Sequence, residues 1–236
     1  MNNEKLTIGK AAQFLKVSVD TLRRWDKNGK LPAGKSAGGH RYYSQLDLEL
    51  YKQDIFALAK EWVLGTAKEP ESRFYYPTSV EFKGKLAKLQ QDLGKVKELD
   101  NYYPLVVATA GEIGNNSYDH NLGNWPDISG VFFAYNTSKR QIALADRGRG
   151  ILKTIRTVKP EVRNYEEALK VAFTEILSSR SPEARGNGLK FVLRIVSESP
   201  MKLEFYSGDA KTTINKEMIV SKTDTYYSGC LALIKY

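Results

Sequence analysis

Three short stretches constrain this chain most: EIGNNSYDH at 112–120, DRGRGI at 146–151 and RGNGL at 185–189. In the first, Glu112 is followed four positions later by Asn116. On a helix that spacing sets a carboxylate and an amide one turn apart on one face, where they can hold a hydrated metal. In the second, the chain leaves a strand through Asp146 into Gly148 and Gly150. Glycines there let backbone approach a flat ligand that a Cβ would exclude, and Asp146 can accept a hydrogen bond from an amine such as adenine's. Taken singly, each has a plain reading. Asn116 can bond to a turn, Asp146 can be a turn former, Gly186 and Gly188 can open a helix, and His120 can cap a helix end. Their order along the chain reads as a nucleotide pocket.

That order resembles the GHKL ATPase family, which includes gyrase, the mismatch-repair ATPases and sensor histidine kinases. Glu112, Asn116 and His120 match its first box, Asp146, Gly148 and Gly150 its DxGxG box, and Gly186, Gly188 and Leu189 its GxGL box. The resemblance covers roughly residues 80 to 236. It implies an α+β domain of the Bergerat type, an α/β sandwich in which helices cover one face of a mixed sheet. It also implies ATP and Mg2+ as cofactors, with Asn116 as the metal ligand, Asp146 reading adenine and Glu112 as the catalytic residue that orients or deprotonates water. His120 becomes a phosphate-side contact. The polar run 177–182 has the composition of a lid, and Arg180 or Arg185 would meet the γ-phosphate. Hydrolysis stays open, as does a Ser/Thr kinase of the anti-sigma type. A histidine kinase is excluded by arithmetic, because His40 and His120 are the only 2 histidines.

The N-terminal segment carries a different pattern. Thr7 can cap a helix with Ile8, Ala11, Ala12 and Leu15 on its apolar side, and Lys16-Val17 then forms a tight turn. Ser18 caps a second helix carrying Val19, Leu22 and Trp25 inward, and Asn28-Gly29 stops it because both residues tolerate positive φ. Two short helices joined this way make a helix-turn-helix, whose second helix puts its N-terminal residues in the major groove. Ser18, Asp20, Thr21 and Arg24 are its exposed candidates, with Arg23 beside them. From Leu31-Pro32 an extended excursion runs through Gly38-Gly39-His40-Arg41-Tyr42 to a helix capped by Ser44, and reads as a wing. Arg41 supplies a phosphate-seeking guanidinium, with His40 and Tyr43 as hydrogen-bonding neighbours.

This segment resembles the winged helix-turn-helix of the MerR family, in the GGHRYY-winged branch also seen in excisionase-like proteins and certain serine recombinases. The resemblance rests on Ala11-Ala12, Val17-Ser18, Thr21-Leu22-Arg23, Trp25, Gly29, Leu31, Gly39 and Arg41-Tyr42. It implies binding to double-stranded DNA as a homodimer, with Leu48, Tyr51 and Phe56 on the helix after the wing as dimer contacts. The reading that unites both halves is a DNA-binding transcriptional regulator with an ATP-binding switch. The alternatives are an ATPase or kinase delivered to DNA, and a recombination accessory protein.

Net charge of +9 agrees with a polyanionic partner. The 1 cysteine, Cys230, excludes an intrachain disulfide and a thiolate zinc cluster. No apolar run is long enough to cross a bilayer and the start MNNEKLTIGK lacks the core of a signal peptide, so a cytoplasmic protein with no membrane partner is expected. The expected organisation is a DNA-binding module over 1–63, a linker over 64–80 and the ATP-binding domain over 81–236. Thr78 and Glu81 resemble a capping box opening a helix with Phe82, Leu86, Leu89, Leu93 and Val96 on one side. That stripe packs on the domain's own sheet or pairs two chains as a short coiled coil. Val131–Tyr135 and Gln141–Ala145 form a hairpin, helices follow near 150–157 and 164–177 and from Gly188, and strands are expected at 201–206, 211–219 and 226–235.

Overall fold

The computed structural model describes residues 4–175 and 188–236. Two compact units emerge, one taking in the chain up to Ile55 with Asn136–Arg140, the other Phe56–Tyr135 with Gln141–Tyr236.

The first unit opens with β1 (Lys5–Thr7), α1 (Ile8–Leu15) and α2 (Val19–Lys27). Thr7 caps α1 by accepting the Lys10 N–H, and Ser18 caps α2 by accepting the Thr21 N–H. Between them Lys16 takes φ 55°, so that Val17 N–H reaches back to Ala12 O at 3.0 Å and closes the helix end. At the end of α2 only Gly29 is left-handed, at φ 70°, whereas Asn28 stays at φ −97°. The wing is β2 (Gly34–Lys35) paired antiparallel with β3 (Arg41–Ser44), and β1 pairs with the other side of β3. That third strand was not expected, because KLT is too short to show alternation. Helix α3 (Gln45–Lys52), capped by Ser44, closes a core of Ala11, Ala12, Leu15, Leu22, Leu31, Tyr43 and Leu48.

Helix α4 (Ile55–Leu64), which lies in the second unit from Phe56 on, is followed there by β4 (Tyr75–Tyr76). The expected linker over 64–80 is therefore part of the fold: β4 pairs antiparallel with the strand that begins at Val131, and Phe74 is buried. Its glycine, proline and charge masked a strand of two residues. Next come α5 (Ser79–Leu93), α6 (Tyr103–Asn121), the hairpin β5 (Val131–Asn136) and β6 (Gln141–Asp146), then α7 (Gly150–Arg156) and α8 (Tyr165–Thr174). Helix α9 (Gly188–Glu198) leads to β7 (Lys202–Asn215) and β8 (Glu217–Lys235). Strands expected at 211–219 and 226–235 thus give way to two long ones. The turn between them falls at Lys216, left-handed at φ 69°, inside the first of those stretches.

The sheet order is β4-β5-β6-β8-β7. Pairing of β4 with β5, β6 with β8 and β7 with β8 is antiparallel, and the short turn joining β5 to β6 requires the same. The expected mixed sheet is corrected to an antiparallel one. Thr78 and Glu81 form the capping box, and Phe82, Leu89 and Leu93 of α5 are buried in the domain's own core. Phe133 of β5 meets Phe82 edge-on at 5.1 Å, and Phe205 of β7 meets Phe173 of α8 at 5.5 Å. Neighbouring residues point to the opposite face. There Phe132 packs on Trp62 and Phe74, and Tyr206 packs on Phe56. Helix α4 therefore covers the second face, and the expectation of helices on one face only does not hold.

Candidate functional site

In the first unit, Ser18, Asp20, Arg23 and Arg24 are exposed on α2, with Thr21 half-buried. The Ser18 hydroxyl accepts the Thr21 N–H at 3.1 Å and shares a 2.9 Å hydrogen bond with Thr21 Oγ1, so both hydroxyls serve the helix start. Asp20 and Arg23 pair at 2.8 Å with both side chains in solvent, a bond weak enough to exchange for a phosphate. Arg24 is the exposed guanidinium on this face that this pair leaves out.

Arg41 is not a loose phosphate finger. Its Nε donates to Asp26 Oδ2 at 2.6 Å, while Asp26 Oδ1 accepts the Ala33 N–H at 2.9 Å, so one carboxylate ties the wing to α2 and to its exit. Burial pushes the Asp26 carboxyl up, but the Ala33 and Arg41 bonds outweigh it and hold the group below its ordinary value. His40 is exposed in the wing turn, where Gly39 takes φ 78°. Tyr43 is corrected: it is 2% exposed, and its hydroxyl donates to Leu22 O at 3.3 Å. Alternation along β3 sends it into the core while Tyr42 lies under Lys5 at 4.6 Å. Of the expected dimer contacts, Leu48 is corrected, since it is fully buried in the unit's own core, while Tyr51, beside Trp25, and Phe56, beside Tyr206, are half-buried.

In the second unit the motif residues converge. Asp146 ends β6, in register with Cys230 of β8, which itself faces Ser207 of β7. A register shift on β7 between Ser207 and Ala210 distorts the sheet edge here. The Asp146 carboxylate accepts from Ser117 Oγ of α6 at 2.8 Å and from Gly148 N at 2.8 Å. Burial pushes its pKa up against those bonds, and burial together with the Asp146 charge pushes the Cys230 thiol well above its usual range. Gly229, at φ 77°, leaves room for this loop, since a Cβ there would lie 2.7 Å from Asp146 Oδ1. Gly150 opens α7 at φ 73°, and Ile151 N–H donates to Ser207 Oγ at 3.0 Å.

Gly148 lies against Asn121, whose amide is held on both sides: Nδ2 donates to Ser117 O and Oδ1 accepts Arg149 N–H, each at 2.8 Å. At the start of α9, Gly188 lies against Glu112 and Asn116, so the first and third boxes meet across α6 and α9. A cavity of about 540 Å³ is lined by Asn116, Ser117, His120, Asp146, Gly150, Gly188 and Leu189, among others. Glu112 and Gly148 stand behind that lining. The positions of Arg180, Arg185 and Gly186 and the expected lid at 177–182 lie outside the described residues. Ser117, Asn121, Ser207 and Gly229 carry the Asp146 loop without any motif to announce them. Arg147, between the motif residues, is 7% exposed and turns away from the cavity into a network of its own.

The donor set suits an adenine nucleotide carrying its own metal. Among the described residues no group of three or more His, Cys, Asp or Glu could cage an ion, and Mg2+ commonly takes one or two side chains plus phosphate oxygens. Asn116 with Glu112 behind it matches that economy, and the buried Asp146 matches a ring amine.

Residues 7–43 match the family described as MerR family regulatory protein. The Type II methyltransferase M.Eco47II of Escherichia coli is 33% identical over 63 residues, 26% of this chain and 15% of that protein. The chain thus spans well under two thirds of that relative. Among the described residues no helix is long and apolar enough to cross a membrane. The N-terminal unit carries a MerR-like helix-turn-helix, of the kind found in DNA-binding transcriptional regulators.

Proposed function

We propose that this chain is a DNA-binding transcriptional regulator whose second unit binds ATP with Mg2+ and uses it as a switch. The observation that carries the nucleotide half is Asp146: a carboxylate 3% exposed, braced by Ser117 and Gly148, at the wall of a cavity that Asn116 and Gly188 also line. A buried carboxylate is costly unless something rewards it, and a ring amine would. Asp146 would accept that amine, the backbone at Gly150 would let the ring approach, and the α9 N-terminus would offer N–H groups to phosphate oxygens. Asn116 would hold the metal, and Glu112, behind the lining, would orient a water. When bound, the metal would supply charge neutralisation at the phosphates.

The DNA half rests on α2 and the wing. Arg24 and Arg23 face the groove, Arg41 fixes the wing to α2 through Asp26, and His40 and Lys35 reach the backbone. A homodimer would set two such units on half-sites about 34 Å apart. Fluorescence anisotropy on a duplex, with and without Mg·ATP, tests the reading. Nucleotide-dependent affinity or stoichiometry supports the switch, while identical titrations remove it and leave a plain DNA binder. Phosphate release that Glu112→Ala abolishes, with DNA binding intact, would make the chain an enzyme delivered to DNA.

A further inference from the structure

Arg147 is the most heavily bonded buried charge among the described residues, and the pocket does not use it. Its side chain is 7% exposed, and it leaves the Asp146–Gly150 loop away from the cavity. Nη1 donates to three carbonyls at the C-terminal end of α4: Trp62 O at 2.7 Å, Val63 O at 3.2 Å and Gly65 O at 3.1 Å. Nε and Nη2 grip the Asp127 carboxylate, at 3.0 and 2.7 Å. The last carbonyls of a helix have no partner within it and carry the negative end of its dipole, so a guanidinium is well matched to them. Asp127 supplies the counter-charge that makes burial tolerable, and its carboxyl, pushed up by burial, is held below its ordinary value by these bonds.

Arg147 is thus covalently next to the carboxylate proposed to read the nucleotide, and hydrogen-bonded to the end of α4. Gln53 and Asp54 alone separate α4 from α3 of the DNA-reading unit. We infer that Arg147 is the positioning residue through which occupation of the Asp146 pocket is transmitted to α4, and so along the chain to the DNA-reading unit. The inference rests on the nucleotide reading and adds its route. A fixed fork of five N–H groups cannot follow the loop without breaking a bond at one end, so a shift of the Asp146–Gly150 backbone must move the α4 terminus or release it. A mere brace would be indifferent to the ligand.

The experiment measures two affinities on the full chain: for a DNA duplex with and without Mg·ATP, and for Mg·ATP by calorimetry with and without DNA. The native chain should show a DNA affinity changed by Mg·ATP about fivefold or more, and DNA should change the Mg·ATP affinity by the same factor in the same direction. Arg147→Gln should bind each ligand separately while that factor falls to one. A factor unchanged in Arg147→Gln would overturn the inference. Should that variant fail to fold, hydrogen exchange on the native chain decides. Protection at residues 60–67 that changes on adding Mg·ATP supports the relay, and unchanged protection overturns it. ATP binding without any effect on DNA affinity sinks the relay alone, whereas no ATP binding at all sinks the pocket reading and the relay with it.

Discussion

Gly188, the first residue of α9, approaches Glu112 of α6 so closely that a Cβ would lie 2.6 Å from the Glu112 Oε2 and 3.4 Å from Asn116 Nδ2. Two boxes more than 70 residues apart in the sequence therefore define one wall of the cavity. The contact is with the far end of a flexible side chain, so a methyl there displaces chemistry before it displaces the fold.

Gly188→Ala should consequently leave thermal stability unchanged or raise it by up to about 1 kcal/mol, as replacing a helical glycine does. Affinity for Mg·ATP should fall at least about tenfold as Glu112 and Asn116 move, an amount of about 1.4 kcal/mol. Gly148→Ala should behave in the opposite way. Its methyl meets an Asn121 amide held by two hydrogen bonds, so the second unit should lose about 1–3 kcal/mol. Thermal melts and calorimetry on the two variants check the contrast.

Asp146→Asn separates stability from binding. Because burial raises the folded carboxyl above its unfolded value, the stability it confers is complete below the unfolded pKa of about 4 and is lost as pH rises through the folded pKa. At neutral pH the unliganded variant should therefore melt at or above the native temperature. A ligand amine favours the ionised carboxylate, so native affinity for Mg·ATP should climb with pH through that folded value. The variant should show no such climb, and a variant melting well below the native chain would contradict the sign.

The wing carries the opposite linkage. Asp26 is held below its ordinary pKa, so its contribution is present above about pH 4 and disappears as pH falls through the folded value. Protection of the Ala33 amide, relative to its intrinsic exchange rate at each pH, should fall in that acid window in the native chain. In Asp26→Ala that protection should already be low at neutral pH, and Arg41→Ala should weaken DNA binding at every sequence through loss of the wing's anchorage.

On α2 the exposed Arg24 should govern base preference. Arg24→Ala is expected to cost about 1–3 kcal/mol on the preferred duplex and less on others. Ser18→Ala should cost about 1 kcal/mol of helix stability through the lost cap. Tyr43→Phe should leave the salt dependence of DNA binding unchanged, since its hydroxyl meets Leu22 O and not phosphate. Equal losses on all duplexes for Arg24→Ala would remove it from base reading.

Local chemistry made much of this molecule legible. Thr7, Ser18, Ser44 and Thr78 all cap the helices their positions announce, because a hydroxyl before an apolar run has little else to do. The Val131 hairpin followed equally from alternation. Pairing between distant segments was hidden. Nothing in KLT or in Tyr75-Tyr76 shows that each adds an edge strand, and nothing before Phe56 shows that α4 covers the far side of the sheet. Tyr43 was misread because an aromatic beside Arg41 looks alike whether it faces solvent or core, until β3 fixes the alternation. Ser117 and Arg147 needed the tertiary fold: one is a serine in a helix and the other a variable letter between motif residues.

Calorimetric titration of Mg·ATP into the native chain and into Asp146→Asn tests the central claim most directly. One nucleotide per chain, with affinity at least about tenfold weaker in the variant, is the predicted result. No heat with the native chain, or equal affinity in both, would contradict it.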